Sequence, residues 1–308
     1  KLRLLTHLVD EFKKKSNNGK MMNKDYRHKV GSFSDSDLSP HPVYEKNSSG
    51  LLYSPFINRR AGSVHTGFGV MSLLPGGNTE MITNAFEKGL FVLDGNLDLM
   101  RGEESYELSK GDFALIPTAV PHAWRNSSKS DVRWVVVESP QPKDPGQWQD
   151  TWLSGPVIWP EKISKLTLDD PRLSGMGNYN VKNQPPSTEI SPYLNGFSMK
   201  MLLDNEAGSI HFYMFIINFR DGGICDHHDH PFEETYFMLE GEVDCVFEGQ
   251  EYTLKEGDYG WTGVGTQHGF FPKKGKPARW LEVQVPQPPR RGGQRWYSEW
   301  DYVNEILK

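Results

Sequence analysis

The chain has 308 residues, about twice a common domain, so two domains of roughly 150 residues are expected. Hydrophobic residues at 36%, with 9 Trp, 12 Tyr and 16 Phe, exclude a wholly disordered chain. A net charge of −6 excludes an electrostatic nucleic-acid binder, and two cysteines, Cys225 and Cys245, exclude a disulfide-dense scaffold or a multi-cysteine zinc module.

In chain order, residues 1–59 read as an N-terminal extension. Leu2, Leu4, Leu5, Leu8, Val9 and Phe12 alternate with basic residues and predict a short amphipathic helix over residues 1–15. The Ser16-Asn17-Asn18-Gly19 break, followed by Met21 and Met22, places the expected native start near there. No apolar run approaches the ~20 residues that span a bilayer. The expectation is a soluble, cytoplasmic protein with no membrane partner. Residues 60–142 give short β-branched and aromatic runs at 67–74, 90–94, 96–100, 113–116 and 132–138, separated by glycine turns. Residues 143–205 read as an irregular connector. Residues 206–288 return to the β pattern at 208–219, 236–240, 242–247 and 278–285. The tail, 289–308, has helical spacing from residue 296 and predicts a closing helix.

The two β regions are copies of one another. A shift of 146 residues lays Gly76-Gly77 on Gly222-Gly223, Phe91 on Phe237, Gly95 on Gly241, and Gly111-Asp112 on Gly257-Asp258. The same shift lays His122 on His268, Arg133-Trp134 on Arg279-Trp280, and Pro140-Gln141-Pro142 on Pro286-Gln287-Pro288. One ungapped register held over 67 residues is a duplication. Closely spaced turns within each copy predict an all-β fold in which each copy closes into a barrel or jelly roll.

The second copy carries the chemistry. His228 and His230 are two apart and project from one face of a strand. Glu234 follows the Pro231 bend, and His268 lies downstream beside Phe270-Phe271. Three imidazoles and a carboxylate suit one divalent first-row metal, and this set alone does not choose among Mn, Fe, Co, Ni and Zn. No phosphate-binding loop, dinucleotide fingerprint or nucleophile elbow occurs, so no organic cofactor is expected.

Gly222, His228, His230, Glu234 and Gly241 have the spacing of the first cupin motif, and Gly257, Gly265 and His268 that of the second. On these residues the chain resembles the cupin superfamily, the germin-like double-stranded β-helix proteins. Gly263 stands where the family usually has Pro, and Pro272 where it often has Asn. The resemblance covers both copies and implies a bicupin, with short flanking helices, that pairs as a homodimer. It implies one divalent metal per chain, Mn or Fe before Ni, Co or Zn, in the C-terminal barrel. In the first copy the ligand positions hold Ile82, Asn84, Lys88 and His122, so that barrel is expected to be a metal-free scaffold.

Further candidates come from strand alternation. Trp280, Glu282 and Gln284 share one face, directed at the cavity, and Leu281, Val283 and Val285 share the other. Glu282 is either a general base or substrate anchor, or an ordinary ion-paired carboxylate. His211 and Tyr213 are candidates for hydrogen bonding to substrate, or for core packing. His227 points away from the metal, and Gln267 is placed to reach an oxygen ligand. Trp261, Tyr236, Phe237 and Phe271 form either a pocket wall or core, and the two thiols lack the basic neighbours of a reactive cysteine.

The resemblance favours a dioxygenase acting on a small enolic, diketone or catechol-like substrate beside Fe or Mn. A redox-neutral manganese hydrolase or isomerase is the alternative. The arrangement of barrels resembles (S)-ureidoglycine aminohydrolase, although that family lacks this His-x-His pattern. A non-catalytic protein stabilised by its metal is the third reading.

Overall fold

The computed structural model describes residues 27–144, 149–167, 170, 173–273 and 275–288, together with the backbone of 295–296. The helix expected over residues 1–15 lies outside these, as does nearly all of the one expected from residue 296. The backbone of Arg295–Trp296 is instead a short strand paired antiparallel with Asp229 and His228. Among the described residues, helix is confined to single 3-10 turns such as Asp35–Asp37 and Val181–Asn183. None is long and apolar enough to cross a membrane.

The strands form two large sheets, one per copy, and the duplication extends to their pairing. Val132–Ser139 lies between Gly67–Thr79 and Glu87–Asp94, as Ala278–Val285 lies between Tyr213–Asp229 and Glu233–Phe247. These central strands are buried on both faces. Trp134 and Val136 enter the core of the first barrel, while Val135 and Val137 face the second copy. Likewise Trp280 enters the second core, while Leu281, Val283 and Val285 meet the first copy. The barrels therefore share a third, interfacial core containing Phe68, Phe91, Phe212, Phe237 and Trp261. Burying apolar area at roughly 25 cal/mol per Å² makes such a core favour their association.

Gly95 and Gly241 show why the glycine register is kept. Both hold a positive φ, 78° and 76°, and a Cβ would strike the carbonyl oxygens of Asp131 and Pro277 respectively.

The segments flanking the two copies hold short strands among irregular stretches. His28–Ser32 precedes the first barrel yet pairs with Asp258–Thr262 of the second. Met176–Asn178 precedes the second barrel yet pairs with Asp112–Ile116 of the first. Each barrel thus covers an open edge with a strand from the segment leading into the other. Thr188–Ser191 and Leu194–Leu203 form a hairpin laid against Tyr213–Asp229, which brings connector residues to the second barrel's mouth.

Candidate metal centre

His228 is the penultimate residue of the long strand Tyr213–Asp229, and His230 follows that strand directly. Glu234 stands second in the strand Glu233–Phe247, and His268 opens His268–Phe271, facing His228 across the sheet. Four residues from three strands and one bend thereby converge. The imidazoles of His228, His230 and His268 bring ligand nitrogens within 4.8 Å of one another, all buried. Glu234 bridges two of them, with Oε1 3.0 Å from His230 Nε2 and Oε2 2.9 Å from His268 Nε2.

The ring orientations are those of metal ligands. His228 Nδ1 lies 2.6 Å from the Asp226 carbonyl oxygen, and His268 Nδ1 lies 2.8 Å from that of Thr266. A carbonyl only accepts, so each Nδ1 carries the proton and each Nε2 presents a lone pair. The Nε2 of His268 is buried without a well-directed hydrogen bond, although a carboxylate oxygen is close. A lone pair facing a carboxylate is repulsive, whereas a cation between them is attracted to both. The donor set of nitrogen and oxygen fits a divalent first-row ion.

The electrostatics agree. Burial, reinforced by the two neighbouring imidazoles, holds His228 well below its usual pKa, so it stays neutral. Burial alone would raise Glu234, but positive charge on the side of His230 and His268 outweighs it and holds the carboxylate well below the usual range, a place that a bound cation would fill. Two further donors fix this carboxylate. The Tyr236 hydroxyl donates to Oε2 at 2.6 Å, and the Gln284 amide donates to Oε1 at 2.7 Å.

Above the cluster opens a cavity of about 250 Å³, lined by His228, His230, Glu234, Glu282, Gln284 and an apolar wall. Glu282 lines it as strand alternation predicts, accepting from Trp280 Nε1 at 2.9 Å and from Gln284 Nε2 at 3.2 Å. Burial and the nearby Glu234 charge raise its carboxyl well above the usual range. The Gln284 amide therefore touches both carboxylates.

The wall differs from the expectation. Phe197, Phe219, Phe270 and Trp280 form it, with Ile190, Leu194 and Met199 from the connector hairpin. Trp261 and Phe237 belong to the interfacial core, and Tyr236 lies in the barrel core beneath Glu234. Phe271 meets the His227 ring instead, and His227 points outward to Asp226. Gln267 is outside the cavity lining, whereas the buried Cys225 lines it, with Sγ 3.8 Å from His228 Nδ1.

His211 and Tyr213 are not among the residues that line the cavity. His211 sits in the turn before its strand, where Glu87 of the first barrel accepts from Ser209 Oγ and from the amides of Ile210 and His211 at 2.9–3.1 Å. Tyr213 stands at the strand's outer end and donates to Asn205 Oδ1.

In the first copy the Lys88 ammonium takes the place of the carboxylate ligand. It lies 3.5 Å from Glu138, the counterpart of Gln284, and donates to the Tyr44 hydroxyl at 2.9 Å. It also lies over the rings of Tyr44 and Trp124 at 4.9 and 4.8 Å. Where the second barrel has Glu and Gln, the first has Lys and Glu, so the internal cation is built into the chain. Burial and the Lys88 charge lower His41 and His122 to about 3. Below pH ~6.5 the unfolded chain takes up protons that these buried rings refuse, and stability falls by about 1.4 kcal/mol per unit and per histidine until pH nears 3. Chemical denaturation of His122→Asn should show a loss between pH 7 and 5 smaller than that of the wild type by about 2 kcal/mol.

The cupin domain family matches twice, at residues 69–138 and 215–284. The chain contains two cupin domains in tandem. Quercetin 2,3-dioxygenase of Bacillus subtilis (strain 168) is 25% identical to this bicupin over 212 residues, 59% of the chain and 62% of that enzyme. The chain thus matches under two thirds of that relative's length. Among solved structures, salicylate 1,2-dioxygenase from Pseudaminobacter salicylatoxidans superposes with a TM-score of 0.67 at 14% identity, covering 91% of this chain and 93% of that one. Oxalate decarboxylase from Lactobacillus farciminis gives 0.61 at 16% identity, with 95% and 94% covered. At these identities the structural likeness is one of fold.

Proposed function

We propose that this bicupin is a metal-dependent dioxygenase acting on a small hydroxylated aromatic or enolic substrate in the second barrel. The observation that carries the reading is the buried three-histidine, one-carboxylate cluster at the floor of an apolar cavity. The names of its quercetin 2,3-dioxygenase relative and its salicylate 1,2-dioxygenase neighbour support dioxygen chemistry.

His228, His230, Glu234 and His268 would hold the metal, which supplies Lewis acidity and, as Fe or Mn, a redox centre. The protein's own residues do the rest. Phe197, Phe219, Phe270 and Trp280 would sandwich a flat ring and exclude water. Among the described residues no lysine or arginine lines the cavity, so these walls favour a neutral hydroxylated ring over a multiply charged acid. At about 250 Å³ the cavity lies just under the ~300–1,000 Å³ typical of drug-sized ligands, which suits a compact substrate. Glu282 would take the substrate's hydroxyl proton at one of its oxygens, and Gln284 would hold that carboxyl and Glu234 in fixed relation.

Oxygen consumption by the Fe- or Mn-loaded protein, measured with quercetin, a 1,3-diketone and a catechol, tests the reading. One dioxygen consumed per substrate is expected. Glu282→Gln should lower kcat by about 10²–10⁴-fold while metal content stays at the wild-type level. Unchanged turnover in that variant removes Glu282 from the mechanism. Anaerobic ammonia release from a ureido substrate would replace the dioxygenase by a redox-neutral enzyme.

A further inference from the structure

The two barrels exchange buried carboxylates, and one of these adjoins the metal cluster. Glu233 begins the strand whose next residue is Glu234, three residues after His230. Its side chain does not enter the second barrel's cavity. It crosses to the first barrel and is buried against the turn at residues 63–66. Ser63 Oγ donates to Glu233 Oε2 at 2.6 Å, and the Val64 amide donates to Oε1 at 2.6 Å. The amides of His65 and Thr66 add contacts at 3.3 and 3.2 Å. Gln141 steadies the turn from behind, donating to the Ser63 carbonyl at 2.8 Å.

The duplication supplies a matched control. Glu87, at the equivalent position, is held by Ser209, Ile210 and His211 of the second barrel. Gln287 donates to the Ser209 carbonyl at 2.6 Å. Both carboxylates are about 1% exposed and both tie one barrel to the other. They differ in what comes next along the chain, since Glu233 precedes Glu234, whereas Glu87 precedes Lys88.

We infer that Glu233 is a positioning residue for the metal centre and that the Ser63–Thr66 turn of the metal-free barrel is part of that centre's support. The inference rests on the ligand set proposed above. A carboxylate tied by several charge-assisted hydrogen bonds fixes the first residue of a strand in all three dimensions. The ligand beside it is then restricted to its side-chain torsions, and Tyr236 and Gln284 set those. The bend carrying His230 is pinned from the same end, because the Gly265 amide donates to the His230 carbonyl at 2.7 Å. Without the tie, the strand start regains freedom that metal binding must then remove. This assigns the first barrel a role that its own Lys88-filled centre does not reveal.

The test compares Glu233→Gln with Glu87→Gln in the full chain, titrated with cobalt(II) alone and followed by its visible absorption. The melting temperature of each metal-free variant is measured alongside. Each substitution turns an acceptor oxygen into an amide donor facing N–H groups, so both should lower the melting temperature. Only Glu233→Gln should weaken cobalt binding, by about 10–100-fold, as partners behind metal ligands do. Glu87→Gln should stay within twofold of wild type. Ser63→Ala and Ser209→Ala repeat the comparison with one bond removed, should the glutamine variants fail to fold; a weaker loss confined to Ser63→Ala is then expected. Equal weakening in both members of a pair, weakening in neither, or weakening only in the Glu87 or Ser209 variant overturns the inference. Absence of cobalt uptake by the wild type would instead overturn the metal site itself.

Discussion

His228→Ala is expected to abolish metal uptake and turnover together. The ring is one of three imidazoles in the cluster, and its proton is committed to the Asp226 carbonyl, which aims Nε2 inward. Partners that merely orient a ligand are worth about 10–100-fold in affinity, so removing the ligand itself should cost at least the upper figure. A second readout follows from mass action. Metal at 100 times its dissociation constant should stabilise the wild type by about 2.7 kcal/mol, and the variant at the same concentration by about 0.4 kcal/mol or less. Retained loading in His228→Ala would remove this residue from the ligand set.

The largest effect on stability is expected in the other barrel. Lys88→Met leaves Glu138 buried without its cation, and uncompensated buried charges of this kind cost about 3–5 kcal/mol. For domains of this size that is a fall of roughly 6–20 °C in melting temperature. Glu138 already has a raised pKa, since burial outweighs the Lys88 charge, so protonation offers it a partial escape at acidic pH. The double variant Lys88→Met/Glu138→Leu should recover most of the loss, because an apolar pair of similar volume avoids both desolvation costs. Metal uptake by the second barrel should persist in both proteins. A single variant within 1 kcal/mol of wild type would show that the lysine carries no such charge balance.

The sequence disclosed those features that rest on local pattern. Gly95 and Gly241 mark the same bend because no other residue tolerates that backbone against a neighbouring carbonyl. His228, His230 and Glu234 lie within one short stretch, so their convergence follows from strand geometry and a single bend. Glu282 was legible because alternation on a strand buried on both faces leaves only one direction for a carboxylate. What remained hidden depends on long-range pairing. Phe197 and Met199 lie in a connector whose composition resembles a loop, and only pairing with Tyr213–Asp229 makes them a cavity wall. His211 resembled a site residue because nothing nearby announces that a glutamate far earlier in the chain captures its amide. The exchanged edge strands have no local signature either, since each is specified by a partner in the other copy.

Anomalous X-ray scattering from crystals grown with manganese or iron tests the central asymmetry most directly. The account predicts one peak per chain, enclosed by His228, His230, Glu234 and His268, and no peak beside Lys88. A peak in the first barrel, or a metal-replete second barrel with these side chains turned apart and no ion between them, would contradict it.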